Sequence, residues 1–147
     1  MQTTERFLGI DYGSKRFGIA VSDPTNIIAR GIGVVYNTPA LYDEIGNYVG
    51  EFRITTIVVG MPVNLKGERG RTAEEVELFI AELQRRLPRV KIVPFDERFS
   101  SRQAQQTLLT MGVKKKKRQS KEIIDPMAAA IVLQTYLDGR KVSDEFS

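Results

Sequence analysis

The sequence predicts a mixed α/β sheet with helices on its faces, and three observations carry that expectation. The chain opens with three apolar stretches joined by short turns, the pattern of an antiparallel meander. Strand-like and helix-like stretches then alternate, the pattern of parallel strands joined by crossovers. The length, 147 residues, suits one domain with one substantial core.

The first hairpin covers Phe7 to Asp23. Leu8, Ile10 and Tyr12 point to one face of its first strand, and Phe7, Gly9 and Asp11 to the other. Both faces are apolar, so the strand reads as buried, where an acid is costly without a partner. Gly13, Ser14, Lys15 and Arg16 supply the turn, and Phe17 to Val21 the returning strand. Gly9 and Gly18 leave open backbone beside Asp11, as expected where a ligand approaches closely.

Ala29 to Tyr36 is a third strand, weakened by Gly31 and Gly33. Asn37, Thr38 and Pro39 start a helix, with Leu41, Ile45, Tyr48, Val49 and Phe52 at helical spacing. Ile54 to Gly60 is a short β-branched run that fits a strand covered on both faces. Met61 to Arg71 is a loop. Thr72 and Glu75 then have capping-box spacing before a helix with Val76, Phe79, Ile80, Leu83 and Leu87 as its stripe, ended by Pro88. Val90 to Phe95 is a fifth strand that runs into Asp96 and Glu97. Ser100 or Ser101 caps a third helix through Met111, and Lys114 to Arg118 is a basic run. A last helix covers Glu122 to Leu137. Residues 1–138 read as one domain and 139–147 as a frayed tail.

Composition narrows the chemistry. The chain has no Cys and no His, which excludes thiolate sites, a Ser-His-Asp triad and a His-ligated zinc centre. Any catalysis must use carboxylates, Lys, Arg, hydroxyls or a cation held by oxygen. No apolar run approaches a membrane span, and the opening MQTTER is unlike a signal peptide, so a cytoplasmic location is expected. A net charge of +4 favours a polyanionic partner such as nucleic acid.

Three acids can converge. Asp11 lies on the first strand, Glu97 follows the fifth, and Asp125 lies at or near the start of the last helix. Ligands of open α/β sheets gather beyond the carboxyl ends of strands. Clustered carboxylates repel unless a cation neutralises them, and Mg²⁺ or Mn²⁺ suits oxygen-only ligands. Each acid alone has a structural use: Asp11 can pair with Lys15 or Arg16, Glu97 with Arg98, and Asp125 with Pro126 makes a good helix N-cap. Asp96 is a spare candidate and Asp23 a weaker one. Lys15, Arg16, Arg98, Lys114, Lys115, Lys116, Lys117 and Arg118 are candidates for phosphate contact.

Four stretches, GIDYGSKRFGIAVSD, VVGMPVNLKGERG, FDERFSS and KEIIDPMAAAIVLQTYL, resemble in order the YqgF family. Its members are Holliday-junction-resolvase-like proteins, also described as nucleases of the precursor of 16S rRNA. The resemblance implies an RNase H-like fold, with Asp11, Glu97 and Asp125 as an acidic triad holding Mg²⁺ or Mn²⁺. It implies an endonuclease on structured nucleic acid, with the 5′ end of pre-16S rRNA as substrate, in ribosome biogenesis. Branched DNA is the alternative substrate, and paired cuts there need a homodimer rather than a monomer. Two other readings stand beside it: a phosphotransferase whose phosphate loop begins at Asp11-Tyr12-Gly13, and a non-catalytic ribosome-assembly factor. The family often has threonines where Ser100 and Ser101 stand, and a small hydroxyl residue where Pro126 stands.

Overall fold

The computed structural model describes residues 5–13, 15–61, 71–96 and 121–146. The expected third helix and the basic run lie outside the described residues. Among the described residues, five strands and three helices follow in the order β1 (Phe7–Asp11), β2 (Arg16–Ser22), β3 (Ala29–Tyr36), α1 (Leu41–Phe52), β4 (Thr56–Met61), α2 (Arg71–Arg86), β5 (Lys91–Asp96) and α3 (Lys121–Phe146). The strands form one sheet in the order β3-β2-β1-β4-β5. β3, β2 and β1 are antiparallel neighbours, while β1, β4 and β5 run parallel. The sheet is therefore mixed, as the sequence pattern predicts.

Side-chain alternation divides the core into two layers. Leu8, Ile10, Phe17, Ile19, Val21, Ile57 and Val59 face α1 and α2, where they meet Leu41, Ile45, Val76, Phe79 and Leu83. Phe7, Ala20 and Val58 face the other way and pack on Ala129, Val132, Leu133 and Leu137 of α3. The first layer is made of large aliphatic and aromatic side chains. The second is made mostly of small ones on the sheet side, and that difference decides how close α3 comes.

Three glycines on three adjacent strands receive α3. A Cβ at Gly9 of β1 would stand 2.8 Å from the Leu133 Cβ. One at Gly18 of β2 would stand 1.9 Å from the Asp125 carbonyl oxygen, and one at Gly31 of β3 would stand 2.6 Å from that of Pro126. Real side chains do not tolerate such distances, so the helix backbone rests directly on the sheet backbone. The sequence pattern of Gly9 and Gly18 suggests a ligand in this space; the space is filled by α3 instead. Gln134 fixes the helix laterally: the Ala29 N–H donates to its Oε1 at 2.8 Å, and its Nε2 donates to the Ile27 carbonyl at 2.8 Å.

Several boundaries differ from the sequence expectation for physical reasons. α1 starts at Leu41, after Thr38 has accepted the Ala40 N–H on its Oγ1 and the Leu41 N–H on its carbonyl. It ends with Arg53 in the left-handed region (φ 53°), and the Ile54 N–H returns to the Val49 carbonyl at 2.9 Å. Ile54 thus closes the helix, and β4 begins only at Thr56. α2 begins at Arg71, so Thr72 lies inside the helix rather than at the cap position. α3 begins at Lys121, which places Pro126 inside it, and runs past Gly139 to Phe146. No helix among the described residues is long and apolar enough to cross a membrane.

The glycines separate into two kinds with opposite responses to substitution. Gly18→Ala forces a methyl group against the Asp125 carbonyl and is expected to cost about 2 kcal/mol or more. Gly46 and Gly50 on α1 have no neighbouring atom within 4 Å of the place a Cβ would take. Alanine at either is expected to stabilise by about 0.5–1 kcal/mol through helix propensity. Urea unfolding of the three variants checks both signs.

Candidate active site

β1 ends at Asp11, and its neighbours on both sides at that level are glycines. Asp11 is paired with Gly18 on β2 and with Gly60 on β4, and Gly60 is in turn paired with Phe95 on β5. Alternation along β1 turns Asp11 to the same face as Phe7 and Gly9, the face covered by α3. The carboxylate is half-buried and engaged in interactions rather than isolated.

Asp125 reaches the same place from α3. Its backbone rests on Gly18, the cross-strand partner of Asp11. Directly opposed residues in an antiparallel pair are about 5 Å apart between α-carbons, so Asp125 is seated over the strand neighbour of Asp11. Asp125 lies one turn inside α3, which rules out the N-cap role that its sequence context allows. Its side chain accepts a hydrogen bond from Arg16 instead: Nε to Oδ2 is 3.2 Å. The two side chains are 28% and 18% exposed, so the pair is shielded but still reached by water.

Arg16 begins β2 and shares the α3 face with Gly18 and Ala20 by alternation. The turn before it is tight, because a Cβ at Gly13 would stand 2.2 Å from the Arg16 carbonyl oxygen. It is tied to the end of β3 by the Asn37 N–H, which donates to the Lys15 carbonyl at 3.0 Å. Lys15 is exposed beside it. The sequence allows Arg16 to pair with Asp11; the structure pairs it with Asp125, a contact that sequence spacing cannot reveal across 109 positions.

Glu97 and Arg98 lie outside the described residues, as do Lys114, Lys115, Lys116, Lys117 and Arg118. β5 ends at Asp96, paired with Met61 one position beyond the Asp11 level. Among the described residues no three acids gather to hold a cation. What the structure brings together is two carboxylates and one guanidinium at the carboxyl end of β1, where the sheet changes from antiparallel to parallel.

Asp23 belongs elsewhere. β2 carries it to the opposite end of the sheet, where it organises the β2–β3 turn. Its Oδ1 accepts the N–H groups of Ile27 and Ile28, each at 2.8 Å. Its Oδ2 accepts the Thr25 N–H at 3.1 Å and the Thr25 hydroxyl. Asn26 adopts the left-handed conformation (φ 59°) that the turn needs, and its Oδ1 accepts the Ser22 hydroxyl at 2.7 Å. The Ile28 N–H, with the Thr25 hydroxyl next in importance, holds the Asp23 carboxyl well below the usual carboxylate range.

A mixed five-stranded sheet in the order β3-β2-β1-β4-β5, with a long helix packed on one face, is an RNase H-like fold. Solved structures agree on the fold: RuvC from T. thermophilus, in complex with a Holliday junction substrate, superposes with a TM-score of 0.58 at 15% identity, over 93% of this chain and 96% of that one. The fowlpox virus resolvase, in complex with Holliday junction DNA, gives a TM-score of 0.58 at 10% identity over 92% and 98%. The chain belongs to the RuvX family, described as Holliday junction resolvase, which it matches over residues 5–139. Among its relatives, a Bacteroides fragilis protein is 42% identical over 93% of this chain and 99% of its own length. One from Halalkalibacterium halodurans is 41% identical over 93% and 99%, and one from Sulfurihydrogenibium 39% identical over 95% and 94%. All three carry the name pre-16S rRNA nuclease as a provisional assignment. The family resemblance seen in the sequence motifs is thus a true membership, and the chain is a nuclease by family.

The Asp23 turn has a pH signature. The carboxyl is more acidic folded than unfolded, so its contribution is full above the unfolded value of about 3.9 and is lost as pH falls through the lower folded value. Melting temperature is expected to drop below about pH 4, and Asp23→Asn to start lower at neutral pH and show a shallower acid decline. Thermal melts from pH 7 to pH 2 check this.

Proposed function

We propose that the chain is a divalent-metal-dependent endonuclease acting on structured RNA, with the 5′ end of pre-16S rRNA as its substrate. The observation that carries this reading is the seat of Asp125 of α3 over Gly18, the cross-strand partner of Asp11. The names of relatives about 40% identical over nearly their whole length support the substrate.

The donor set fits the cation. The site offers carboxylate oxygens only, in a chain without His or Cys, which suits Mg²⁺ or Mn²⁺ rather than zinc. Asp11 and Asp125 would hold it, with Glu97 as a third ligand or as the group that orients the attacking water. When bound, such an ion supplies Lewis-acid stabilisation of charge on phosphoryl oxygens. The protein's own residues do the remaining work. The rigid strand end fixes Asp11, and the glycine bed fixes Asp125 against it. Lys15 and Arg16, together with Arg98 and the Lys114 to Arg118 run, contact phosphates and hold the backbone in register. The exposed position of Lys15 beside the site supports its part in this.

A second reading, cleavage of four-way DNA junctions, is favoured by the fold shared with two resolvases whose structures contain such junctions. The two readings share the active site and differ in what fits over it.

Asp11→Asn is expected to lower cleavage of a pre-16S rRNA fragment by about 10³-fold, equivalent to about 4 kcal/mol of barrier. Its melting temperature should stay near that of the wild type. Chelator should abolish wild-type cleavage, and Mg²⁺ or Mn²⁺ should restore it. Running a four-way DNA junction beside the RNA decides between the substrates by rate. Wild-type rates in the Asp11→Asn protein would remove Asp11 from the mechanism.

A further inference from the structure

We infer that Arg16 is an exchangeable counter-ion for Asp125: it occupies the carboxylate in the metal-free protein and is displaced from it when a divalent cation binds. The inference deepens the proposed function and rests on Asp125 being a metal-holding residue.

The geometry has three parts. First, the Arg16 Nε donates to Asp125 Oδ2 at 3.2 Å, so a guanidinium sits on an oxygen that the cation would use. A carboxylate shared by a divalent ion and a guanidinium brings like charges together, and the arrangement relaxes when the guanidinium leaves. Second, the pair is loose enough to exchange. Both side chains are partly exposed, and ion pairs reached by water hold weakly. Third, the exchange requires only side-chain motion. The Arg16 backbone is locked by β2 pairing with Tyr36 and by the tight Gly13 turn, while Asp125 is locked by its seat on Gly18. The long Arg16 side chain is the part that can move, and it starts from the face that carries both acids.

A guanidinium in this position has two uses in sequence. Without metal it relieves the repulsion between Asp11 and Asp125, so the two acids are held ready without a cation. Once displaced, its planar fork suits a phosphate oxygen pair, the contact that the proposed function gives it. Metal occupancy and phosphate contact are then coupled through one side chain. A purely structural ion pair predicts the reverse, because removing Arg16 would then loosen Asp125 and weaken metal binding.

Calorimetric titration of the full chain with Mn²⁺ at low ionic strength tests this by sign. Arg16→Gln is expected to bind Mn²⁺ about fivefold tighter than wild type, the equivalent of about 1 kcal/mol. Arg16→Lys, which keeps the charge, is expected to stay within about twofold. In an Asp125→Asn background, Arg16→Gln is expected to change nothing. Arg16→Gln binding equal to or weaker than wild type overturns the inference. The wild-type protein gives an independent check: the Arg16 Nε–H resonance should exchange slowly with water without metal and faster with saturating Mg²⁺, and an unchanged signal also overturns it. If wild type binds no Mn²⁺, or binds it equally after Asp125→Asn, the metal reading of the site fails and this inference with it. If binding requires Asp125 but ignores Arg16, only the Arg16 inference fails.

Discussion

The close seat of α3 on a glycine-lined strip of sheet is the constraint on which the rest of this molecule depends. Gly9, Gly18 and Gly31 lie on three neighbouring strands, and each meets an atom of α3 where a Cβ would be. Helices normally stand off a sheet on their side chains. Here the carbonyls of Asp125 and Pro126 lie directly over strand backbone. That contact gives up the burial a larger residue would supply, and glycine in a strand costs conformational entropy as well. The larger layer on the other face, with Phe17, Ile19, Ile45, Phe79 and Leu83, carries most of the apolar burial. The two layers thus have different tasks: one stabilises the sheet, the other sets the height of a helix.

That height matters because of what α3 carries. Asp125 is seated beside the strand partner of Asp11, so two acids from opposite ends of the sequence share one spot at the end of the central strand. Two carboxylates so close are unfavourable without positive charge nearby. Arg16 supplies some of that charge from the adjacent strand. It is the first residue of β2 and Asp11 the last of β1, with the tight Gly13 turn between them. The hairpin therefore places an acid and its neighbouring cation by one local geometry, and the helix brings the second acid to both. Arg53 in the left-handed region at the end of α1 is a comparable local cost, accepted where the Ile54 N–H can return to Val49 and turn the chain into β4.

The layout of the sheet was legible because its signals are local. Period-two alternation in Phe7 to Tyr12 assigns opposite faces to Leu8 and Phe7, and the structure keeps that assignment. The β-branched run around Ile57 to Val59 reads as doubly covered, and it is buried between both layers. Helix ends were less legible. Thr72 has the right spacing for a capping box yet lies inside α2, and Pro126 has the chemistry of a first helical residue yet lies inside α3. Pro126 has a tertiary contact at that place, its seat over Gly31. Asp23 shows the opposite case. Its acid reads as a weaker candidate for the site, and it is used by the turn N–H groups that follow it and by the Thr25 hydroxyl.

By itself the sequence determined the order of elements, the faces of the strands, the absence of histidine and cysteine chemistry, and the family. These follow from neighbouring residues and from composition, which need no knowledge of where the chain returns. Only the tertiary structure decided that the open backbone at Gly9 and Gly18 receives a helix rather than a ligand. It alone paired Arg16 with Asp125, and it moved Asp125 from a cap to the side of the sheet. Those outcomes depend on how near two distant segments approach. That distance is set by the absence of three Cβ atoms, a property of the packed molecule that no stretch of the chain contains alone.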